Sequence, residues 1–120
     1  MQFKMVHNNL NVSDLEKSLA FYQEALGLHE VRRKEREGFT LVFLGDDLGQ
    51  HQLELTWLKD HPQKYELGEN ETHICFRVKD YEDAKKKHEE MGCVCFVNEA
   101  MGLYFIEDPD GYWFEITPER

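Results

Sequence analysis

Four residues of this chain, His7, Glu54, His73 and Glu115, are of the types that hold divalent metal ions. They fall as one His-then-Glu pair in each half. The gap within a pair is 47 residues in the first half and 42 in the second. Each of the four is a polar residue on a segment whose alternate positions are apolar. Two imidazoles and two carboxylates suit a borderline divalent ion that keeps open positions for a substrate. A glutamate on a sheet is ordinarily just the solvent side of a half-exposed strand, and a lone histidine is ordinarily a surface or satisfied core residue. Four at matching places in two repeats outweigh that reading and point to metal-assisted catalysis. His29, His51, His61 and His88 lack the symmetric placement and read as structural.

The elements that must position these residues also repeat. Ser13-Asp14-Leu15-Glu16 reads as a capping box, with Ser13 as N-cap and Glu16 three residues on. Leu15, Leu19, Tyr22 and Leu26 then share one helical face, and Gly27 stops the helix. Asp80 caps a second helix with a weaker stripe of Tyr81, Ala84, His88 and Met91, ended by Gly92, and Lys85, Lys86 and Lys87 lie toward solvent. Each helix follows a strand that carries a histidine. Three more strands come after it, near His29–Glu35, Phe39–Gly45 and His51–Trp57 in the first half. In the second half they lie near Cys93–Asn98, Leu103–Glu107 and Tyr112–Thr117, with Asp108-Pro109-Asp110-Gly111 as a tight turn. The fold class is therefore α+β. Two βαβββ repeats form a curved mixed sheet around a metal cavity, in a single domain of repeats 1–58 and 71–120 joined by linker 59–70.

Strand alternation brings the candidate ligands to one face. In Val6–Val12, His7, Asn9 and Asn11 oppose Val6, Leu10 and Val12; in His73–Val78, His73, Cys75 and Arg77 oppose Ile74, Phe76 and Val78. Glu54 shares a face with Gln52 and Thr56, and Glu115 with Trp113 and Thr117. The expectation is four strands that turn an apolar face to helices and a polar face to a common concavity.

The bulk numbers exclude several partners. At 120 residues the chain is one compact unit, or two very small ones sharing a core, and its 41% hydrophobic content can supply that core. A formal net charge of −10 argues against nucleic acid or an anionic membrane surface, both of which need a basic patch. The N-terminus lacks the continuous apolar stretch of a signal peptide, and no segment is long and apolar enough to span a bilayer. Three cysteines without framework spacing suggest reduced thiols and a cytoplasmic protein; Cys75, Cys93 and Cys95 all read as small buried residues.

At these motifs the chain resembles the vicinal oxygen chelate superfamily, and within it the short bacterial glyoxalase I (lactoylglutathione lyase) type. The matching stretches are His7 to Gly27 (HNNLNVSDLEKSLAFYQEALG), Leu53-Glu54-Leu55-Thr56, Lys64-Tyr65-Glu66-Leu67-Gly68, Thr72-His73-Ile74, and Glu107-Asp108-Pro109-Asp110-Gly111-Tyr112 with Glu115. Two histidines with two glutamates look most like glyoxalase I, where ring-opening and fosfomycin-inactivating relatives carry two histidines and one glutamate. The resemblance implies a metal-dependent lyase that converts the hemithioacetal of methylglyoxal and a thiol to an S-lactoyl thioester through an enediolate. His7, Glu54, His73 and Glu115 would be metal ligands. Glu115 would be the leading base, with Glu54 its partner on the opposite face. It further implies Ni²⁺ or Co²⁺, with Zn²⁺ as the alternative, and a homodimer whose sites form within one chain or across two.

Departures from the glutathione-specific pattern fall on the thiol-binding side. Asn11 stands where such members carry arginine, Leu58 where they often carry asparagine, and the loop before the last hairpin is short, about Asn98 to Gly102. Glutathione or another thiol therefore remains open. Asn11 and Arg77 are the substrate-binding candidates, Arg77 standing four residues after His73 as Asn11 does after His7, with Arg32 and Arg33 placed less well. Two other functions fit the same motifs: a related epimerase such as methylmalonyl-CoA epimerase, or a resistance-type protein that sequesters a small ligand.

Overall fold

The computed structural model describes residues 1–120. Its strands and helices run β1 (His7–Asn11), α1 (Leu15–Leu26), β2 (His29–Arg36), β3 (Phe39–Gly45), β4 (Gln52–Leu58), β5 (His73–Val78), α2 (Tyr81–Met91), β6 (Val94–Asn98), β7 (Leu103–Glu107) and β8 (Trp113–Pro118). Two compact units divide at Tyr65 and Glu66, inside the stretch read as a linker. Each unit is one βαβββ repeat with its own four-stranded mixed sheet, so the strands form two sheets rather than one. The orders are β1-β4-β3-β2 and β5-β8-β7-β6.

In the first unit, β1 lies parallel to β4 with Asn9 opposite Glu54, and β4 runs antiparallel to β3 with Phe43 opposite Glu54. In the second, β5 lies parallel to β8 with Cys75 opposite Glu115, and β7 places Phe105 opposite Glu115. Even the irregularities match. The β2 register shifts between Glu30 and Arg32, and the β6 register between Val94 and Phe96, which is the signature of a bulge.

Alternation sets the core. Leu53 and Leu55 of β4 are buried with Val42 and Leu44 of β3, and Phe114 and Ile116 of β8 with Tyr104 and Ile106 of β7. Each fully buried aliphatic side chain of this size contributes about 1.5–3 kcal/mol from removal of its surface from water. The residues between them, including both glutamates, are thereby forced to the other face. On α1 the buried residues are Ser18, Tyr22 and Ala25. Of the predicted stripe only Tyr22 is fully covered, and Leu15, Leu19 and Leu26 flank it. Burial of α2 is centred on His88, whose Nδ1 lies 2.7 Å from the Tyr104 hydroxyl.

The cap of α1 is Asp14, not Ser13. Its carboxylate accepts from the Lys17 N–H at 3.1 Å, because the helix begins one residue later than the capping-box pattern places it. Asp80 occupies the N-cap position of α2 without a side-chain capping bond. Both helices end at a glycine in the left-handed region, Gly27 (φ 65°) and Gly92 (φ 73°). There the next N–H groups reach back to free carbonyls of the last turn. The turn Asp108–Gly111 forms as expected, and the Asp108 carboxylate accepts from the Asp110 and Tyr112 N–H groups at 2.9 Å each. No helix is long and apolar enough to cross a membrane.

Candidate metal centre

The register explains why each histidine meets its glutamate. Parallel pairing puts His7 two residues before the residue opposite Glu54, and His73 two before the residue opposite Glu115, all on the polar face. In the first unit His7 Nε2 lies 3.6 Å from Glu54 Oε1; in the second His73 Nε2 lies 3.0 Å from Glu115 Oε1. The imidazoles are 41% and 42% exposed and the carboxylates only 14% and 18%, so each pair has a fixed inner member and an open outer one. A phenylalanine backs each imidazole edge-on: Phe43 at 5.4 Å and 80° from His7, Phe105 at 5.1 Å and 87° from His73.

These spacings suit a metal. Two donors each about 2.1 Å from one ion, at angles between octahedral and tetrahedral, stand roughly 3.0–3.4 Å apart. The second pair matches the lower bound, and the first needs a small closure. Within each unit no third His, Cys, Asp or Glu completes the pair to a metal-holding group. The four ligands expected as one set thus appear as two half-sites of identical composition.

Around the two glutamates the units differ. Asn9 occupies the position beside Glu54. With its nitrogen turned to the carboxylate, its amide donates to Oε1 at 3.1 Å, and it meets the Thr56 hydroxyl at 2.5 Å. Cys75 occupies the same position beside Glu115, 3.7 Å from the Thr117 hydroxyl. Here the sequence reading needs correction. Cys93 is buried and Cys95 half-buried as small core residues, but Cys75 is exposed, because its strand face is the polar one. Partial burial pushes the Cys75 thiol up, against a smaller opposing effect of Thr117, and Glu115 adds to the rise. Burial drives Cys95 up to about 11. Both shifts favour the thiol over the thiolate.

The substrate-binding candidates separate. The Asn11 amide lies 2.7 Å from that of Asn9 and donates to the Tyr65 hydroxyl at 3.4 Å, and Tyr65 stacks on His61 at 3.8 Å. Arg32 lies over Phe43, its guanidinium carbon 4.1 Å from the ring centre, on the same ring that backs His7. Arg33 is held by Glu30 at 2.8 Å and Glu35 at 3.2 Å, and those bonds raise its pKa; its charge is already answered. Arg77 and Glu115 line one cavity of about 420 Å³ with Arg120. Neither the backing phenylalanines nor Arg120 was singled out from sequence. Cross-strand register is the signal that reveals the first. Of the remaining histidines, His51 meets Asn8 at 2.9 Å and His29 meets Asp47 at 3.1 Å.

Comparison with known proteins identifies the family and the fold. Residues 4–116 match the Glyoxalase/Bleomycin resistance protein/Dioxygenase superfamily. The chain is 40% identical over 129 residues to the lactoylglutathione lyase of Neisseria meningitidis serogroup A, covering 98% of this chain and 91% of that one. It is 36% identical over 124 residues to a probable lactoylglutathione lyase of Synechocystis, covering 93% and 92%. Among solved structures, the trypanothione-dependent glyoxalase I of Leishmania major superposes with a TM-score of 0.87 at 30% identity, covering 98% of this chain and 88% of that one.

Proposed function

Because the chain belongs to the Glyoxalase/Bleomycin resistance protein/Dioxygenase superfamily, we propose that it is a glyoxalase I. In this reading it isomerises the hemithioacetal of methylglyoxal and a thiol to the S-lactoyl thioester. The observation that carries the proposal is the His–Glu half-site repeated in both units at 3.6 and 3.0 Å. Relatives named lactoylglutathione lyase, 40% and 36% identical over nearly the whole chain, support the same reading.

His7, Glu54, His73 and Glu115 would together hold one divalent ion, Ni²⁺ or Co²⁺ in preference to Zn²⁺, in a homodimer. Bound there, the ion would supply Lewis-acid stabilisation of negative charge on the two adjacent oxygens of the adduct. The proton transfer falls to the chain's own groups. Glu115 takes the proton from the carbon that bears sulfur and returns it to the neighbouring carbon, so that no atom is gained or lost. The surroundings favour Glu115 over Glu54 for this role. Besides the imidazole that each glutamate meets, Glu115 has beside it only the Cys75 thiol, a weak donor, whereas the Asn9 amide engages Glu54 and holds it as a fixed ligand. His73, backed by Phe105, keeps the base oriented.

The test is to strip the protein of metal, restore Ni²⁺, Co²⁺ or Zn²⁺ separately, and follow thioester formation from methylglyoxal with glutathione. Turnover that depends on metal, with Ni²⁺ or Co²⁺ above Zn²⁺, is expected. Absence of stoichiometric metal binding would overturn the proposal. Tight binding without turnover for any thiol would leave a metal centre with another substrate.

A further inference from the structure

A row of hydrogen bonds leads away from the first half-site into the segment after β4. It starts at the Glu54 carboxylate, which is only 14% exposed. With its nitrogen turned to that carboxylate, the Asn9 amide donates to Glu54 Oε1 at 3.1 Å and leaves its oxygen facing the Asn11 amide at 2.7 Å. Two amide oxygens cannot face each other at that distance, so turning Asn9 turns Asn11 with it. Asn11 then donates to Asn9, and its oxygen meets the Tyr65 hydroxyl. The 3.4 Å contact is thereby reversed, with the tyrosine as donor. Every group in the row now donates toward Glu54. Bonds arranged in this way polarise one another, and an ionised acceptor at the end strengthens them further.

Strand register supplies one end of the row and the linker supplies the other. Asn9 stands opposite Glu54 and Asn11 opposite Thr56 on parallel strands, so alternation puts both amides on the face of the carboxylate. Tyr65 is half-buried, and its ring is held by His61, stacked on it at 3.8 Å with 3° between the planes. His61 Nδ1 is buried with no hydrogen-bond partner, so stacking and not a bond at that nitrogen orients the imidazole. The backbone there is pinned as well: the Lys59 N–H donates to the Gly38 carbonyl at 3.0 Å and the His61 N–H to that of Leu58 at 3.2 Å. All of these residues belong to the first unit. In the second unit the corresponding strand positions are Cys75 and Arg77, which cannot form a row of amides.

We propose that Tyr65 is a positioning residue of the metal centre: through the Asn11 and Asn9 amides, its hydroxyl fixes the Glu54 carboxylate in the orientation that binds the ion. This rests on the reading of Glu54 as a metal ligand. It makes Asn11 a link in the row and not a contact to substrate, and it ties the segment after β4 to the metal. Loss of an outer partner of a metal ligand typically costs about 10–100-fold in metal affinity or activity. Asn9 touches the ligand itself and carries an effect of that size. Asn11 and Tyr65 stand one and two links further out, so their effects fall off in that order.

The experiment titrates Co²⁺ into the metal-free protein by calorimetry and records the visible spectrum of the Co²⁺ form. It also measures kcat and KM for thioester formation from methylglyoxal and glutathione at saturating Co²⁺. The variants are Asn9→Leu, Asn11→Leu, Tyr65→Phe and the last two combined; Tyr65→Phe keeps the ring for His61 and removes only the hydroxyl. The Kd for Co²⁺ is expected to rise about tenfold or more in Asn9→Leu and about threefold in Tyr65→Phe, with Asn11→Leu between. The Co²⁺ absorption bands should shift, and KM should stay within about twofold. The combined variant should bind Co²⁺ no more weakly than Asn11→Leu alone, because the hydroxyl acts only through that amide. An unchanged Kd and spectrum in Tyr65→Phe, even with a lowered melting temperature, overturns the proposal. So does full additivity in the combined variant, or a raised KM with metal affinity intact, which would make these residues substrate contacts. Graded losses of Co²⁺ affinity in a protein that turns over no adduct keep the positioning role and remove the glyoxalase reading. A native protein that binds no Co²⁺ overturns both.

Discussion

The two glutamates are identical in type and register, so exchanging each for glutamine isolates what their neighbours contribute. Glu115→Gln keeps an oxygen facing His73 Nε2, now 3.0 Å away, and removes the group that accepts the proton. Loss of a positioned general base costs about 10²–10⁴-fold. At about 1.36 kcal/mol per decade, that is roughly 2.7–5.5 kcal/mol of barrier. Glu54→Gln keeps an oxygen for the Asn9 amide, which contacts Oε1 at 3.1 Å, and removes only one negative charge from a ligand already held in place. Its expected loss in kcat is about tenfold or less, or about 1.4 kcal/mol. The assay is kcat for thioester formation at saturating metal, with occupancy measured by elemental analysis so that weakened metal binding is not mistaken for lost proton transfer. Equal losses in the two variants, or a greater loss for Glu54→Gln, would refute the argument that Asn9 and Cys75 divide the roles.

Two further outcomes follow from the half-sites and from one loop. If a complete centre is built from half-sites of two subunits, mixing inactive His7→Ala and His73→Ala proteins restores activity. Random pairing makes half of the dimers mixed, each with one intact site of two, so about a quarter of native activity returns; a mixture that stays inactive after subunit exchange places each centre within one chain. Asp46 accepts N–H bonds from Gly49 at 3.0 Å and Leu48 at 2.9 Å, and these lower its pKa below 3.8. A lowered folded-state pKa contributes stability that is present above the unfolded value and lost as pH falls through the folded one. The melting-temperature gap between the native protein and Asp46→Asn should therefore be full at neutral pH and close only in strong acid. A gap that stays constant down to pH 2 would contradict this account.

Much of this was legible in the chain because strand alternation is a strict rule. Leu53 and Leu55 must go inward, so Glu54 must go outward, and the same holds for Phe114, Glu115 and Ile116. Three of the eight strands, β3, β5 and β7, have the expected bounds, and the others differ by no more than a residue at either end. What the chain did not reveal depends on partners distant in sequence. The α1 cap moved to Asp14 because a serine and an aspartate side by side can both cap, and only the first helical turn decides. Cys75 was misjudged because residue type outweighed its place on a polar face. Phe43 and Phe105 look like core phenylalanines until register sets them opposite the glutamates. The single-sheet expectation gave way because β1 and β5 each pair only within their own repeat.

On the proposed function, the duplication accounts for two half-sites of identical composition that are used unequally. Register aligns His7 with His73, Glu54 with Glu115, Phe43 with Phe105 and Thr56 with Thr117, so the backbone delivers the same imidazole, carboxylate, backing ring and hydroxyl twice. The positions that differ are those that touch this constant set. Asn9 faces Glu54 where Cys75 faces Glu115; Asn11 corresponds to Arg77, Gln52 to Trp113, and Arg32 to Phe96. In the first unit these exchanges give amides that engage the carboxylate and its neighbours. In the second they put a thiol, aromatic rings and an arginine around a carboxylate that His73 meets at 3.0 Å. A metal needs only the shared residues and is indifferent to which half supplies them. On the proposed function, the differences around the two carboxylates are what divide the roles of Glu54 and Glu115.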